Sequence, residues 1–233
     1  MDKNKLMVFN ENIDYLFHAN IVECDMVAAS VSVCERYKLL DSTTIEWLKL
    51  LPKEKRTIEM GMMQKNQSFS EKMINGILET RLEFIEENNI KDEDILSLHS
   101  DALFINMKHE IKDNIGGVEF KLKNRYLGYM KYDKRIEMFY TGDVIDFKQI
   151  PIDLIHQHTL GINKYLLNIF NKIDNYDETI LDYITKFNTR YLQNKLPDYY
   201  YNSFGKVGAF KIENLQLFGY IANVVLKEMR EWK

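Results

Sequence analysis

Apolar residues in the first half of the chain fall in short runs that are bounded by polar residues. Residues 21–27 form one such run, with Asp25 near its end, and they predict a buried strand. Two further runs, residues 95–98 and 103–105, flank a polar kink that contains Asp101. Runs this short suit strands better than helices, so the pattern predicts a hairpin of two buried strands with Asp101 in its turn.

The segments between these strands carry apolar residues at helical spacing. Residues 28–40 predict a first helix, and Asp41 is a favourable N-terminal cap for a second one. Pro52 ends that second helix and suits the first turn of a third helix, which is basic. Residues 68–88 predict a long amphipathic helix that leads into the hairpin.

Alternating apolar and polar residues follow the hairpin and give way to helical periodicity near residue 150. The period of two predicts an antiparallel meander over residues 117–122, 126–130 and 136–140. Helices are predicted over residues 152–173, 177–194 and 213–232. The expected fold is therefore α+β, with an antiparallel sheet and packed helices in residues 1–150 and a helical extension in residues 151–233.

The composition permits a packed core and argues against global disorder, because 45% of the 233 residues are hydrophobic and 28% are charged. A net charge of −4 is not that of a general nucleic-acid binder, although a local patch can still bind one. Cys24 and Cys34 are too few for a disulfide framework, and no run of 18 apolar residues occurs. A soluble protein of a reducing cell interior is expected.

Asp25 and Asp101 are the residues in this pattern that best suit a chemical role. Two acids on adjacent strands can hold two divalent cations, of which one activates a hydroxyl nucleophile and the other stabilises the leaving phosphate oxygens. Mg²⁺, or Mn²⁺ in its place, suits such a site because it needs only one or two carboxylates besides substrate phosphates. The simpler alternative for the hairpin is a turn that merely contains aspartate, a good turn residue.

Residues 25–33 resemble the first palm motif of family B DNA polymerases, D-x-x-S-L-Y-P-S-I. Asp25 matches the aspartate, Ser32 the second serine and Val33 the closing β-branched residue. Residues 98–105 resemble the later palm motif, G-D-T-D-S-V-F-V, whose second aspartate corresponds to Asp101. The resemblance implies that Asp25 and Asp101 are the catalytic metal ligands.

Residues 123–126 are similar to the basic K-K-x-Y strand that contacts the primer–template in that family. All three motifs stand in the family's order, and the resemblance covers residues 19–150. It implies a polymerase palm followed by a thumb-like extension. The surrounding residues 117–135 hold six basic and two acidic residues with three tyrosines between them. The expected nucleic-acid ligands are Lys121, Lys123, Arg125 and Tyr126.

The sequence departs from the family B pattern at several positions. His99 replaces the first aspartate of the later motif, and Asn124 replaces a lysine of the basic strand. Ser30 stands where the family has the tyrosine that excludes ribose, so Ser30 is the expected sugar-selecting residue. The K-x-x-x-N-S-x-Y-G helix of the family is absent. The substitutes for triphosphate binding are Lys53, Arg56 and Lys65.

The first hypothesis is a viral palm-type nucleotidyltransferase of the host cytoplasm. Its substrates are a DNA or RNA primer–template and nucleoside triphosphates, and other replication proteins supply any missing parts. The second hypothesis is a non-catalytic palm relative that binds nucleic acid or a replication partner, and the third is a structural protein without a site. A family A palm is a further alternative, because its H-D-E motif is a rival match for His99 to Asp101. His156 and His158 do not share a helix face, which favours a helix start over a metal pair.

Overall fold

The computed structural model describes residues 1–133, 136–149, 160–201, 206–207, 210–211 and 214–232. Within these residues the chain has an α+β fold with antiparallel strand pairs, as the sequence predicts. Its strands are β1 (Met7–Phe9), β2 (Tyr15–Leu16), β3 (Ile21–Met26), β4 (Ile95–His99), β5 (Ala102–Asn106), β6 (Asn114–Ile115), β7 (Val118–Tyr126), β8 (Gly128–Tyr132), β9 (Ile136–Tyr140), β10 (Ile145–Lys148), β11 (Lys206–Val207) and β12 (Phe210–Lys211). The α-helices are α1 (Ala29–Arg36), α2 (Ser42–Leu50), α3 (Lys53–Met63), α4 (Gln67–Glu87), α5 (Leu160–Asp174), α6 (Ile180–Leu192) and α7 (Asn214–Glu231).

A first compact unit comprises Met1–Asn12 and Ile21–Arg125. Its six-stranded sheet has the order β1-β4-β5-β3-β7-β6. One face of the sheet is apolar and packs on α1 and α4, with Cys24 of β3 and Leu103 of β5 buried against Val33 and Ile77. Gly76 lets the two helices approach closely, because a Cβ there would lie 2.5 Å from a methyl group of Val33.

The helices of this unit begin at polar caps and at proline. Asp41 accepts a hydrogen bond from the Thr44 amide at 3.0 Å and so starts α2, as predicted. The helix α3 begins directly after Pro52, also as predicted. Asn66 caps α4 by accepting from the Phe69 amide at 3.2 Å, so the long helix begins at Gln67, one residue before its predicted start at residue 68.

The second compact unit comprises Ile13–Asn20 and Tyr126–Lys233. Its antiparallel sheet has the order β10-β9-β8-β2, and α5, α6 and α7 share one apolar core with these strands. Tyr140 and Phe170 lie in that core with their ring centroids 5.1 Å apart. Because β8, β9 and β10 share a core with the helices, the compact units divide after Arg125 rather than near residue 150.

The predicted meander is wrong for its first strand. β8, β9 and β10 do form an antiparallel meander, but β7 belongs to the first sheet and lies beside β3. Val118 and Phe120 of β7 are buried in the first unit, where the Phe120 ring stacks on Phe84 with centroids 4.1 Å apart. Burial against α4 therefore fixes β7 in the first sheet.

Arg81 of α4 is fully buried and connects three backbone segments. One terminal nitrogen donates to the carbonyls of Leu6 at 3.2 Å and Ser100 at 2.9 Å. The other donates to the carbonyls of Lys3 at 2.8 Å and Lys5 at 2.6 Å. The side chain thus ties the N-terminal segment and the β4–β5 turn to α4.

Replacing Arg81 by methionine is expected to destabilise the protein by more than about 3 kcal/mol, because buried carbonyls lose their donors. Urea denaturation at neutral pH measures this change. Lys72→Met is the matched control, since Lys72 is exposed on the same helix. That control is expected to change the free energy of unfolding by less than about 0.5 kcal/mol. Equal effects of both substitutions would show that the carbonyl contacts of Arg81 contribute little.

Candidate active site

Asp25 and Asp101 lie side by side where β3 ends and where the β4–β5 hairpin turns. Asp25 pairs with Ala102 in the antiparallel register of β3 and β5. The next amide, that of Met26, donates to the carbonyl of Asp101 at 3.0 Å. Ser100 has a φ of 46°, and Arg81 holds its carbonyl, which fixes the backbone conformation of the turn. Both aspartates line the same cavity.

The backbone after Asp25 is anchored on both sides before α1 begins. The Val27 amide donates to the carbonyl of Glu119 on β7 at 2.9 Å. Ala28 adopts a left-handed conformation with φ 49°, and the Ser32 hydroxyl donates to the Val27 carbonyl at 2.8 Å. Residues 28–31 line the cavity, so the N-terminal turn of α1, the positive end of its helix dipole, borders it.

The cavity has a volume of about 650 Å³, which is in the range of small-molecule and cofactor sites. Four elements of the first unit form its walls: the end of β3 with the start of α1, one face of α3, the hairpin turn, and β7. The lining residues are Asp25, Met26, Val27, Ala28, Ala29, Ser30, Val31, Lys53, Arg56, Thr57, Met60, Gly61, Gln64, Asp101, Lys121 and Lys123.

Helix α3 contributes one of its faces to this cavity. Relative to Lys53, the lining residues Arg56, Thr57, Met60 and Gly61 stand at i+3, i+4, i+7 and i+8, which places them on one side of the helix. Thr57 and Gln64 are site residues that the sequence analysis missed. Thr57 stands four residues after Lys53 and Gln64 eight residues after Arg56, and this helical spacing is the signal that could have identified them.

The charged side chains of the cavity suit an anionic ligand that binds together with a metal cation. Four basic side chains and two carboxylates line it. Burial raises the pKa of Asp25, the neighbouring charge of Asp101 raises it further, and Lys123 opposes both effects. Burial and the neighbouring carboxylate therefore disfavour the ionised form of Asp25.

Lys123 connects Asp25 to a second acid on the same strand. Its ammonium lies 3.2 Å from a Glu23 oxygen and 3.7 Å from an Asp25 oxygen. Asn124 donates to the other Glu23 oxygen at 2.7 Å. Glu23 was not among the predicted site residues, although its position two residues before Asp25 places both side chains on the same face of β3.

Most of the predicted site residues meet in this cavity. Asp25, Asp101, Ser30, Lys53, Arg56, Lys121 and Lys123 all line it. Lys65 is exposed and lies outside the lining, and Arg125 is likewise exposed on β7 but not part of the wall.

Tyr126 is not available for stacking on bases. It is buried in the second unit, where its hydroxyl donates to Asp146 at 2.8 Å and its ring packs on Phe139. The prediction that Tyr126 contacts nucleic acid through its ring is therefore wrong, because an apolar core covers that ring.

The carboxylates of the cavity suit Mg²⁺ only when a bound ligand supplies further oxygen atoms to the ion. Among the described residues, no group of three or more histidines, cysteines and acids is arranged to hold a metal ion. Asp25 and Asp101 supply two carboxylates, which is the number Mg²⁺ takes from a protein when substrate phosphates and water complete its shell.

His156 and His158 lie outside the described residues. Within the described residues, no helix combines the length and the apolar character needed to cross a bilayer.

The fold and cavity define an α+β protein with paired carboxylates beside a basic helix face. A family model described as "Bacteriophage PBS1 gene 130 protein" matches residues 2–232. The chain belongs to this bacteriophage protein family, which supports the expected viral origin. No curated protein matches the chain.

Asparagine at position 25 is expected to stabilise the protein at neutral pH in the absence of divalent metal. The pKa of Asp25 is raised in the folded state, so stability is lost as the pH rises from below the ordinary value of 3.8 through the raised value. Asp25→Asn removes that penalty, and the melting temperature should rise by about 1–3 °C at pH 7. The difference from wild type should vanish near pH 3.

Thermal unfolding at both pH values measures the effect. Asp113→Asn is the control, because Asp113 is an exposed acid of the same unit. A lower melting temperature for Asp25→Asn at pH 7 would show that the charged form is stabilising.

Proposed function

We propose that the chain is a palm-type nucleotidyltransferase that joins a nucleoside triphosphate to a primer. The observation that carries this proposal is the meeting of Asp25 and Asp101 with Lys53 and Arg56 around one cavity. These residues come from three separate stretches of sequence. Asp25 and Asp101 were predicted from the two palm motifs, and Lys53 and Arg56 as substitutes for the family's triphosphate-binding helix.

Asp25 and Asp101 would hold the divalent cations. Such ions, when bound, lower the pKa of the attacking hydroxyl and stabilise the leaving phosphate oxygens. The two carboxylates would hold the ions in the cavity, and the β3–β5 register keeps the two acids adjacent. His99, at the position of the family's further aspartate, packs its ring against Phe104 with centroids 4.8 Å apart. The site therefore relies on two acids from these motifs.

Lys53 and Arg56 would bind the triphosphate. They stand in the first turns of α3, and residues of the N-terminal turn of α1 also line the cavity. Basic side chains and helix N-termini are the groups that bind phosphates most readily in proteins.

The exposed basic row of β7 would hold the nucleic-acid backbone. Lys121, Lys123 and Arg125 alternate along the strand, so they project from one face of it. Lys121 and Lys123 also line the cavity, which connects the row to the reacting centre. DNA or RNA would be bound through phosphates, without base recognition by these residues.

A non-catalytic palm relative is the second candidate, and the contact between Lys123 and Asp25 favours it. A lysine that neutralises a metal ligand can replace the metal permanently in an inactive protein. Such a protein would bind DNA or RNA in a salt-dependent manner without incorporating nucleotides.

Asp25→Asn and Asp101→Asn are each expected to lower nucleotide incorporation at least about 100-fold, because each removes a charged ligand but keeps the side-chain shape. Extension of a labelled primer on DNA and RNA templates, with Mg²⁺ or Mn²⁺, measures the rate. Asp113→Asn is the control and should retain the wild-type rate. Incorporation at the wild-type rate by either site variant would refute the assignment. A wild-type protein that is inactive under all these conditions would favour the non-catalytic candidate.

Ribonucleotides are expected to be incorporated at least as readily as deoxyribonucleotides. Ser30 lines the cavity at the position where the family's tyrosine excludes ribose. Its small side chain leaves room for a 2′-hydroxyl and can hydrogen-bond it. Single-nucleotide incorporation with ATP and dATP tests this, and Ser30→Tyr should shift the preference toward dATP. A strong wild-type preference for dATP would contradict the assigned role of Ser30.

A further inference from the structure

Lys123 lies where a cation would bind to Asp25, and a buried acid holds it there. Its ammonium is 3.7 Å from the Asp25 carboxylate and 3.2 Å from that of Glu23. The Glu23 side chain is 4% exposed, whereas that of Lys123 is 54% exposed. Asn124 fixes the second Glu23 oxygen at 2.7 Å. The anchoring carboxylate is therefore buried and hydrogen-bonded on both oxygens, and the lysine that it holds lines the cavity.

A divalent ion and this ammonium compete for the same carboxylate. Mg²⁺ binds carboxylate oxygens at about 2.0–2.1 Å, so an ion on Asp25 would lie within a few ångströms of the Lys123 charge. Repulsion at that distance is strong in a partly buried site. Lysine has a flexible four-carbon stem, which lets the ammonium withdraw while the strand stays in place.

Lys121 provides an internal comparison on the same strand. It is exposed, lines the same cavity and stands two residues before Lys123. Among the ion pairs of the described residues, those of Lys123 join it to both Glu23 and Asp25, and none joins Lys121 to an acid. The contact with Asp25 is therefore specific to Lys123 and is not a general property of the basic strand.

We infer that Lys123 is a built-in counter-ion that occupies the cation position at Asp25 and lowers the affinity of the site for free divalent metal. Glu23 is the positioning residue that holds it there. The inference rests on the proposed function in one respect, namely that Asp25 is a metal ligand. It adds that the site resists loading with metal before substrate arrives.

Titration of the full chain with Mn²⁺ alone, followed by the electron paramagnetic resonance signal of free Mn²⁺, tests this inference. Lys123→Met should bind Mn²⁺ at least about tenfold more tightly than wild type. Lys123→Gln, whose amide can still donate to Glu23, is a second neutral variant and should behave alike. Lys123→Arg keeps the charge and should retain the weak wild-type affinity. Lys121→Met should produce a much smaller gain.

The double variant Lys123→Met, Asp25→Asn assigns the new binding to the site, because it should lose the gain. Neutral variants at 123 that bind Mn²⁺ no more tightly than wild type would overturn the inference, and so would a gain that survives Asp25→Asn. Primer extension separates these results from the proposed function. If the wild-type protein polymerises but Lys123→Met shows no gain in Mn²⁺ affinity, only the counter-ion inference is refuted. If the gain in Mn²⁺ affinity depends on Asp25 but the protein never polymerises, the counter-ion role of Lys123 is supported and the proposed enzymatic activity is refuted.

Discussion

The antiparallel pairing of β3 with β5 is the constraint on which the candidate site depends. Asp25 lies opposite Ala102 in this register, and the turn that carries Asp101 is consequently adjacent. A slip of one residue would move Asp25 to the helix-facing side and bring Cys24 to the cavity. The buried side chains of Cys24 and Leu103 oppose that slip, because each is fully enclosed by the core under the sheet. The hydrophobic core thus determines where the two acids meet.

Polar interactions then hold this arrangement, which is unfavourable without a ligand. Arg81 secures the turn through the Ser100 carbonyl, and Lys123 offsets part of the negative charge. Burial and the proximity of Asp101 still raise the pKa of Asp25. Paired carboxylates in a partly buried cavity, one of them with a raised pKa, are typical of functional centres.

Apolar runs and capping residues in the sequence predicted the individual strands, turns and helix starts of the first unit. The strand over residues 21–27, the hairpin around Asp101 and the cap at Asp41 follow from short apolar runs and from capping chemistry. The partner of β7 did not follow, because a period of two shows which side chains are buried but not which strand lies alongside. Tyr126 was misplaced for the same reason, since its burial depends on contact with Phe139.

The site residues that belong to sequence motifs could be predicted. The site residues whose role depends on contacts between distant parts of the chain could not. Asp25, Asp101, Lys53 and Arg56 came from the sequence and line one cavity, whereas Lys65 follows α3 and does not reach it. Glu23 was missed because its role depends on Lys123, a residue 100 positions away in the chain. Metal binding by the two aspartates, and the polymerase reading built on it, stay predictions.

A crystal structure with Mn²⁺ and a non-hydrolysable nucleoside triphosphate tests the central claim most directly. Anomalous scattering locates Mn²⁺ independently of the protein atoms. The account predicts an anomalous peak within about 2.5 Å of oxygen atoms of both Asp25 and Asp101, with the triphosphate beside Lys53 and Arg56. Mn²⁺ and triphosphate bound away from these four residues would contradict it.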